Sequence, residues 1–372
     1  MGWSPTSPGG LNRYLHELTA QIAAGQDWVE FCGTDLPTCS PQPHLILTTL
    51  TSEKVALPQR LWQAHQQFKQ RQMVAPNAIN LHFALYGLPL LNQLPQQVPV
   101  TFTFHGPWAI ESQHEGASPW SVGFKRWVEQ RVYRRCDRFI VLSQAFGIIL
   151  HETYRVPWEH IHVIPGGVNT QRFQPNLTRQ MARQTLGWPT DRLILFSPRR
   201  LVHRVGLEEL LKAIVLVKQQ IPDVWLAIAG KGPQRETLDR QVQEWGLQDH
   251  VRLVGYLADD QLPLAYQAAD LTVVPSQSLE GFGLILLESL ACGTPPVCTP
   301  IGGMPEVIAP FNPNLVTATA EAGGIADRLI ELLQRPTVTL PDRTACREYA
   351  CHQFDWQKIA TQVRTVLLKS SH

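Results

Sequence analysis

The sequence predicts an α/β protein of two domains, each built on a parallel sheet, and three observations carry that reading. Short apolar runs recur along the chain, and each leads into a turn bearing glycine or proline, the pattern of strands buried on both faces. A length of 372 residues suits two hydrophobic cores better than one. Between 171 and 190 the chain becomes polar and carries Pro175, Gly187 and Pro189, which marks a boundary between two series of strands. The domains are therefore set at 1–170 and 171–352, with 353–372 as a closing helix.

Composition narrows the partners. A formal charge of +1 gives no reason to expect nucleic acid. No apolar run reaches the roughly 18–20 residues that span a bilayer, and the start, Met1-Gly2-Trp3-Ser4-Pro5, lacks the basic and apolar segments of a signal peptide. Seven cysteines, an odd number with no paired C-x-x-C, read as reduced thiols of a cytoplasmic chain. No G-x-G-x-x-G follows any strand, so a hydride-transfer cofactor has no support.

In the first half, Ser7-Pro8-Gly9-Gly10 opens a helix with Leu11, Leu15 and Leu18 on one face. Lacking Cβ, Gly9 and Gly10 let this turn touch a diphosphate. Strands are expected at 28–32, 44–50, 79–83 and 99–104, with a polar helix at 60–71. His105 stands just past the last of these strands, where open α/β sheets bind ligands, and can donate a hydrogen bond at neutral pH. His82, His114, His162 and His203 have no such support. A helix over 120–136 is expected to turn Phe124, Trp127, Val128 and Val132 to the core. Its cations, Lys125, Arg126, Arg131, Arg134, Arg135 and Arg138, outnumber Glu129 and Asp137, so 124–138 offers either a solvated face or a contact for an anionic membrane surface. Strands at 137–143 and 161–164 complete the domain.

The second half begins with a strand at 193–197 that runs into Pro198-Arg199-Arg200. Strands at 225–229 and 251–253 lead into Gly230-Lys231-Gly232-Pro233 and Gly255-Tyr256. A helix at 262–269 delivers the chain to a strand at 269–274 and then to PSQSLEGFGLILLESLACGTPPVCTPIGGMPE, residues 275–306. Gly281 and Gly283 allow close approach of backbone to a ligand. A helix from about Leu284 stops at Cys292-Gly293-Thr294-Pro295, and its start offers unpaired N–H groups to an anion. Glu280 precedes this helix and Glu288 lies on it. One turn can thus hold a phosphate by backbone while a carboxylate one turn inside is placed to accept a sugar hydroxyl. Helices at 326–333 and 357–368 close the chain.

The run E-G-F-G-L-x-x-x-E, followed by C-G-T-P-P-V and G-G-M-P-E-V-I, resembles the donor site of retaining glycosyltransferases of the GT-B fold, the group 1 type with the E-x7-E motif. The resemblance implies two Rossmann-like domains facing a central cleft, with the last helix crossing back to the first domain. It also implies a hydrophobic strand before the Gly9-Gly10 turn. Only Met1 to Ser4 precede that loop, so the first strand is expected to be missing or truncated.

The same resemblance implies roles. Glu280 would hold donor sugar hydroxyls and Glu288 the ribose hydroxyls, while His105 would meet the donor sugar or the leaving phosphate. Arg200 matches the family's diphosphate arginine. Val205 stands where the family has a lysine, and Arg204 is chosen to replace it, with Arg199 as the alternative. Gly230 and Tyr256 would flank the nucleotide, and Gly281, Phe282, Gly283 and Leu284 would line the donor. No D-x-D motif is present, so the arginines are expected to act in place of a metal. No cofactor is implied, because the nucleoside-diphosphate sugar is a substrate. The expected activity is transfer of that sugar to an unidentified acceptor with retention of configuration, in the cytoplasm or at the inner membrane face. A sugar-nucleotide epimerase of similar fold, or a non-catalytic sugar-nucleotide-binding subunit, remains the alternative; a new sugar isomer formed from donor alone would mark the epimerase.

Overall fold

The computed structural model describes residues 9–40, 42–71, 75–335 and 339–369. The chain divides into two compact units, one made of residues up to 167 together with 356 onward, the other of 168–355.

The first unit opens with α1 (Gly10–Ala24), which buries Tyr14, Leu15 and Leu18. Two parallel strands follow, β1 (Val29–Thr34) and β2 (Leu45–Thr51), and then α2 (Leu57–Gln70). A second parallel sheet has the order β3 (Ile79–Leu81), β4 (Val100–Phe104), β5 (Arg138–Val141) and β6 (Ile161–Val163). Short α3 (Ala84–Gly87) and α4 (Trp108–His114) leave the ends of β3 and β4, and α5 (Pro119–Tyr133) and α6 (Gln144–Tyr154) flank β5. All five residues of β4 are buried, as a strand covered on both faces must be. Phe102, Phe104, Val128, Val132, Tyr133, Phe139 and Phe146 pack into one core around it. The expected loss of a first strand falls on residues 1–4, outside the described residues.

Two expectations in this unit need correction. Trp28 is not part of β1 and is exposed. Phe124 and Trp127 do not face the core: they are 52% and 53% exposed, and the buried side of α5 is Val128, Glu129, Val132 and Tyr133. The buried arc is centred between Glu129 and Val132, because Val128, Val132 and Tyr133 pack with Phe102 and Phe104, and this leaves Phe124 at its edge and Trp127 on the far side.

The second unit is one parallel five-stranded sheet in the order β11-β10-β7-β8-β9. Its strands are β7 (Leu193–Pro198), β8 (Val224–Ala229), β9 (Val251–Gly255), β10 (Leu271–Val274) and β11 (Pro296–Cys298). The helices are α7 (Arg179–Leu186), α8 (Leu207–Gln220), α9 (Arg235–Glu244), α10 (Gln261–Ala268), α11 (Leu284–Ala291), α12 (Met304–Ile308), α13 (Ala322–Gln334) and α14 (Arg343–Phe354). From β7 the chain winds outward through β8 and β9, then returns to the other side of β7 with β10. The strand order therefore reverses between β7 and β10, and loops leaving their C-terminal ends diverge into a crevice where such sheets bind ligands. Asp270 fixes β10 at its start: its carboxylate pairs with Arg183 at 2.7 Å and Arg179 at 3.1 Å and accepts from the Ile194 N–H at 2.7 Å.

The final helix, α15 (Trp356–Leu368), belongs to the first unit and packs against α1. Arg364 there pairs with Asp27. Among the described residues no helix is long and apolar enough to cross a membrane. All seven cysteines are unpaired.

Candidate active site

In the second unit, the loops after β7 and β10 bring an arginine and a glutamate together. Arg199 Nη2 donates to Glu280 Oε2 at 2.6 Å and to Ser276 Oγ at 2.7 Å, and Ser276 Oγ donates to the same Glu280 oxygen at 2.9 Å. The two charged side chains are only 6% and 15% exposed, so the pair acts in a medium where charge is weakly screened. Burial pushes the Glu280 carboxyl up, but the Arg199 guanidinium, the Ser276 hydroxyl and the nearby charge of Arg204 more than offset it, and the net shift is downward. Glu280 is ionised at neutral pH. Its Oε1 makes no hydrogen bond among the described residues.

The backbone around Glu280 is fixed from several sides. The Glu280 carbonyl accepts from the Gly303 N–H at 3.0 Å, and a Cβ at Gly302, where φ is 59°, would overlap that carbonyl. Thr299 Oγ1 donates to the Ser276 carbonyl at 2.6 Å, and the Gln277 N–H to the Arg204 carbonyl at 2.8 Å. Leu279, next to Glu280, has φ 51°, a left-handed conformation that costs a branched residue about 1–2 kcal/mol. A conformation of this kind persists only where its surroundings hold it, as the bonds to Gly303 and Arg204 do here.

Three sources of positive potential converge on this loop. Arg204 Nη1 donates to the Leu279 carbonyl at 3.3 Å. The Nε–H groups of Arg199 and Arg204 are buried and have no hydrogen-bond partner among the described residues. An unpaired buried donor is unfavourable by about 1–3 kcal/mol, so both groups are open to an acceptor brought by a ligand. Arg13, Arg60 and Arg71 also have an Nε–H of this kind elsewhere in the chain. Third, α11 starts at Leu284 behind Gly283, an N-cap with no side chain to bond the first N–H groups, and the dipole end points into the loop.

The other expected residues take varied places. Arg200 is exposed with no side-chain partner among the described residues, so the arginine at the carboxylate is its neighbour Arg199. Val205 is buried in the core, which leaves Arg204 as the cation of that turn reaching the loop. Glu288 is buried and accepts from the Tyr266 hydroxyl at 2.8 Å. Phe282 sends its ring into the core against Phe354. Gly230 abuts the Arg199 carbonyl, where a Cβ would overlap it, and so fixes the arginine's backbone. Tyr256 is half exposed, with Lys231 Nζ 5.0 Å from its ring centroid. Gly281 and Leu284 lie on the loop and at the start of α11.

In the first unit His105 follows β4, and His82 follows β3. His82 Nδ1 lies 3.0 Å from His105 Nε2, with the rings stacked 24° from parallel. One nitrogen must donate and the other accept, so the bond requires at least one neutral ring. Removal from water holds His105 down to about 3; it also holds His82 well below its ordinary value, and the His105 charge adds to that. Both are neutral at physiological pH. Tyr14 of α1 packs edge-on against His105 at 5.0 Å and against Trp356 at 5.1 Å. Gly9 and Gly10 open that same helix.

Sequence reasoning missed His82 and Ser276 and ranked Arg199 second. The expected strand 79–83 took His82 into a strand interior, whereas β3 ends at Leu81 and places His82 at the ligand end. The rule that selected His105 would have selected it too. Arg199 and Arg200 are adjacent and differ only in which face of the departing strand they leave by, which composition does not show.

A model described as Glycosyl transferases group 1 matches residues 178–353, and one described as Glycosyltransferase Family 4 matches residues 8–172. The D-inositol 3-phosphate glycosyltransferase of Mycolicibacterium smegmatis is 34% identical over 234 residues, 61% of this chain and 52% of that protein. The chain thus spans about half the length of that relative. The sucrose-phosphate synthase structure from Thermosynechococcus elongatus superposes with a TM-score of 0.81 at 26% identity, covering 98% of this chain and 94% of that one. Anabaena HepE, solved with UDP and glucose, gives a TM-score of 0.76 at 19% identity over 98% of each chain, a likeness of fold.

Proposed function

We propose, from the premise that the chain belongs to the group 1 glycosyltransferases and has the GT-B fold, that it transfers a sugar from a nucleoside-diphosphate donor with retention of configuration and without a metal. The observation that carries the reading is the half-buried Glu280, with one oxygen fixed by Arg199 and Ser276, beside two guanidinium Nε–H groups that lack a partner among the described residues. Breaking the glycosidic bond leaves positive character on the sugar and negative charge on the diphosphate. The Arg199 and Arg204 guanidiniums and the start of α11 stabilise the leaving diphosphate, the role a metal ion plays elsewhere. Oε1 of Glu280 accepts a sugar hydroxyl, and its negative charge lies near the developing cation. Glu288 takes the ribose hydroxyls, with one of its oxygens held by Tyr266. Gly230 and Tyr256 border the nucleotide. His105, neutral and oriented by His82, donates to or accepts from the donor without adding a charge. Arg200 is a further diphosphate contact if its exposed side chain swings toward the donor. We place the chain in the cytoplasm, at the inner face of the membrane.

The test is a thermal-stabilisation screen of UDP-, GDP- and ADP-sugars with a chelator present, followed by incubation of the stabilising donor with acceptors and assignment of the product anomer by NMR. The reading expects stabilisation without magnesium and a product of unchanged configuration. Stabilisation only when magnesium is added, or an inverted product, overturns it.

A further inference from the structure

The rotation of α5 exposes a stripe that the expected core-facing helix would have hidden. Trp120, Phe124, Trp127, Arg131 and Arg134 recur at spacings of four and three, which is one face of a helix. Trp120 is 91% exposed, and the rings of Phe124 and Trp127 stack on each other 6.1 Å apart in solvent. Arg131 and Arg134 continue the face, and Arg126 stands exposed beside it. None of these three arginines forms an ion pair among the described residues. The other cations of the segment are used internally: Lys125 bonds Ser112 and covers Trp108, Arg135 bonds the Pro95 carbonyl and Asp137, and Arg138 is buried. Glu129 and Tyr133 lie opposite the stripe, and with Val128 and Val132 they make the core side of α5.

We propose that this stripe is a docking surface for an anionic phospholipid bilayer, with the aromatic rings seated at the headgroup level and Arg131, Arg134 and Arg126 on the lipid phosphates. It gives residues to the peripheral placement above and holds whether or not the chain transfers sugar. Three observations favour a bilayer over other partners. The apolar members are large aromatics, two of them tryptophans, which favour the membrane–water interface over either bulk phase. The stripe carries cations and no carboxylate, so it complements a uniformly negative surface. A second copy laid on this face would bury four arginines from the two stripes with no carboxylate to pair them, an unfavourable contact.

The experiment is co-sedimentation of the whole chain with vesicles of phosphatidylcholine alone and of phosphatidylcholine mixed with phosphatidylglycerol, alongside tryptophan emission. Binding to the anionic vesicles, a blue shift in emission, and weakening by salt are expected. Trp120→Ala/Phe124→Ala/Trp127→Ala should reduce that binding at least tenfold, or about 1.4 kcal/mol. Arg131→Glu/Arg134→Glu, at exposed positions, should abolish the preference for anionic vesicles while leaving the thermal midpoint unchanged. No binding to anionic vesicles at low salt, or equal binding by both variants, overturns the proposal. So does self-association in sedimentation velocity that the aromatic variant abolishes, which would assign the face to a second copy.

Discussion

At the ends of β7 and β10 the second unit buries a complete ion pair, Arg199 against Glu280, whereas at the ends of β3 and β4 the first unit sets two neutral imidazoles against Tyr14. Both clusters stand at the carboxyl ends of adjacent parallel strands. They differ in what surrounds them. Around Glu280 lie polar loops, a helix start and a second arginine, so charge is stabilised there. Around His105 lie aromatic rings, so charge is expelled. The comparison teaches that the same strand-end geometry serves opposite electrostatic tasks according to the loops attached to it. In the proposed reaction the first cluster carries the diphosphate, and the second hydrogen-bonds without adding a charge.

The largest effect should come from removing the carboxylate. Glu280→Ala is expected to lower transfer at least a thousandfold, measured as product formed at saturating donor, with the far-UV spectrum retained. Turnover at the wild-type rate would remove Glu280 from the chemistry. Arg199→Ala strikes the other half of the pair and leaves Glu280 buried and unpaired. It should cost about 3–5 kcal/mol in stability, read from the denaturant midpoint. A loss under about 1 kcal/mol would mean that Glu280 is paired by something else.

In the first unit the expected effects are smaller and graded. His105→Ala should lower transfer about a hundredfold. His82→Ala should lower it about tenfold, with His82→Asn recovering part of the loss because the amide can keep one hydrogen bond to the ring. Equal rates for wild type and His82→Ala would make the stacked pair a packing feature only.

The smallest effects are in pH dependence, where the clusters separate by sign. The His82 and His105 rings have folded values below 6.5, so the unfolded chain binds more protons below that pH. Their contribution is present above pH 6.5 and lost as pH falls toward about 3. Glu280, also lowered, loses its contribution in the same direction, beginning near 4.5. Glu129 of α5 behaves oppositely. Burial raises it to about 7, against opposing hydrogen bonds from Tyr154 and the Ala109 N–H, so its contribution is present below 4.5 and lost as pH rises through 7. Glu129→Gln should flatten the fall in stability between pH 4.5 and 7 in urea titrations. An unchanged slope would show that this carboxyl is ionised in the folded chain.

Much of this was legible in the sequence because strands buried on both faces leave continuous apolar runs. β4, β7, β8 and β10 stand within a residue or two of where their valines, leucines and phenylalanines predict. The glycine loop before α11 was legible for a similar reason, since Gly283 is required at φ 83°. What escaped depended on rotation and on strand ends. The side of α5 facing the core is decided by Phe102 and Phe104 on another element, and the helix's own pattern, aromatic on one side and aliphatic on the other, does not choose between them. His82 was hidden by a strand end displaced by two residues. Arg199 and Arg200 were separated only by the turn against Gly230, a contact made across thirty residues of sequence.

The central claim is that the Arg199 and Arg204 guanidiniums, each with a buried Nε–H, hold a nucleoside diphosphate without a metal. Calorimetric titration of UDP, GDP and ADP in a chelating buffer, on wild type and on Arg204→Ala, tests it most directly. The account predicts that one diphosphate binds the wild type without divalent cation and binds Arg204→Ala at least about tenfold more weakly, the loss of one charge-assisted contact. Equal affinity of the two proteins for that diphosphate, or binding that requires added magnesium, would contradict it.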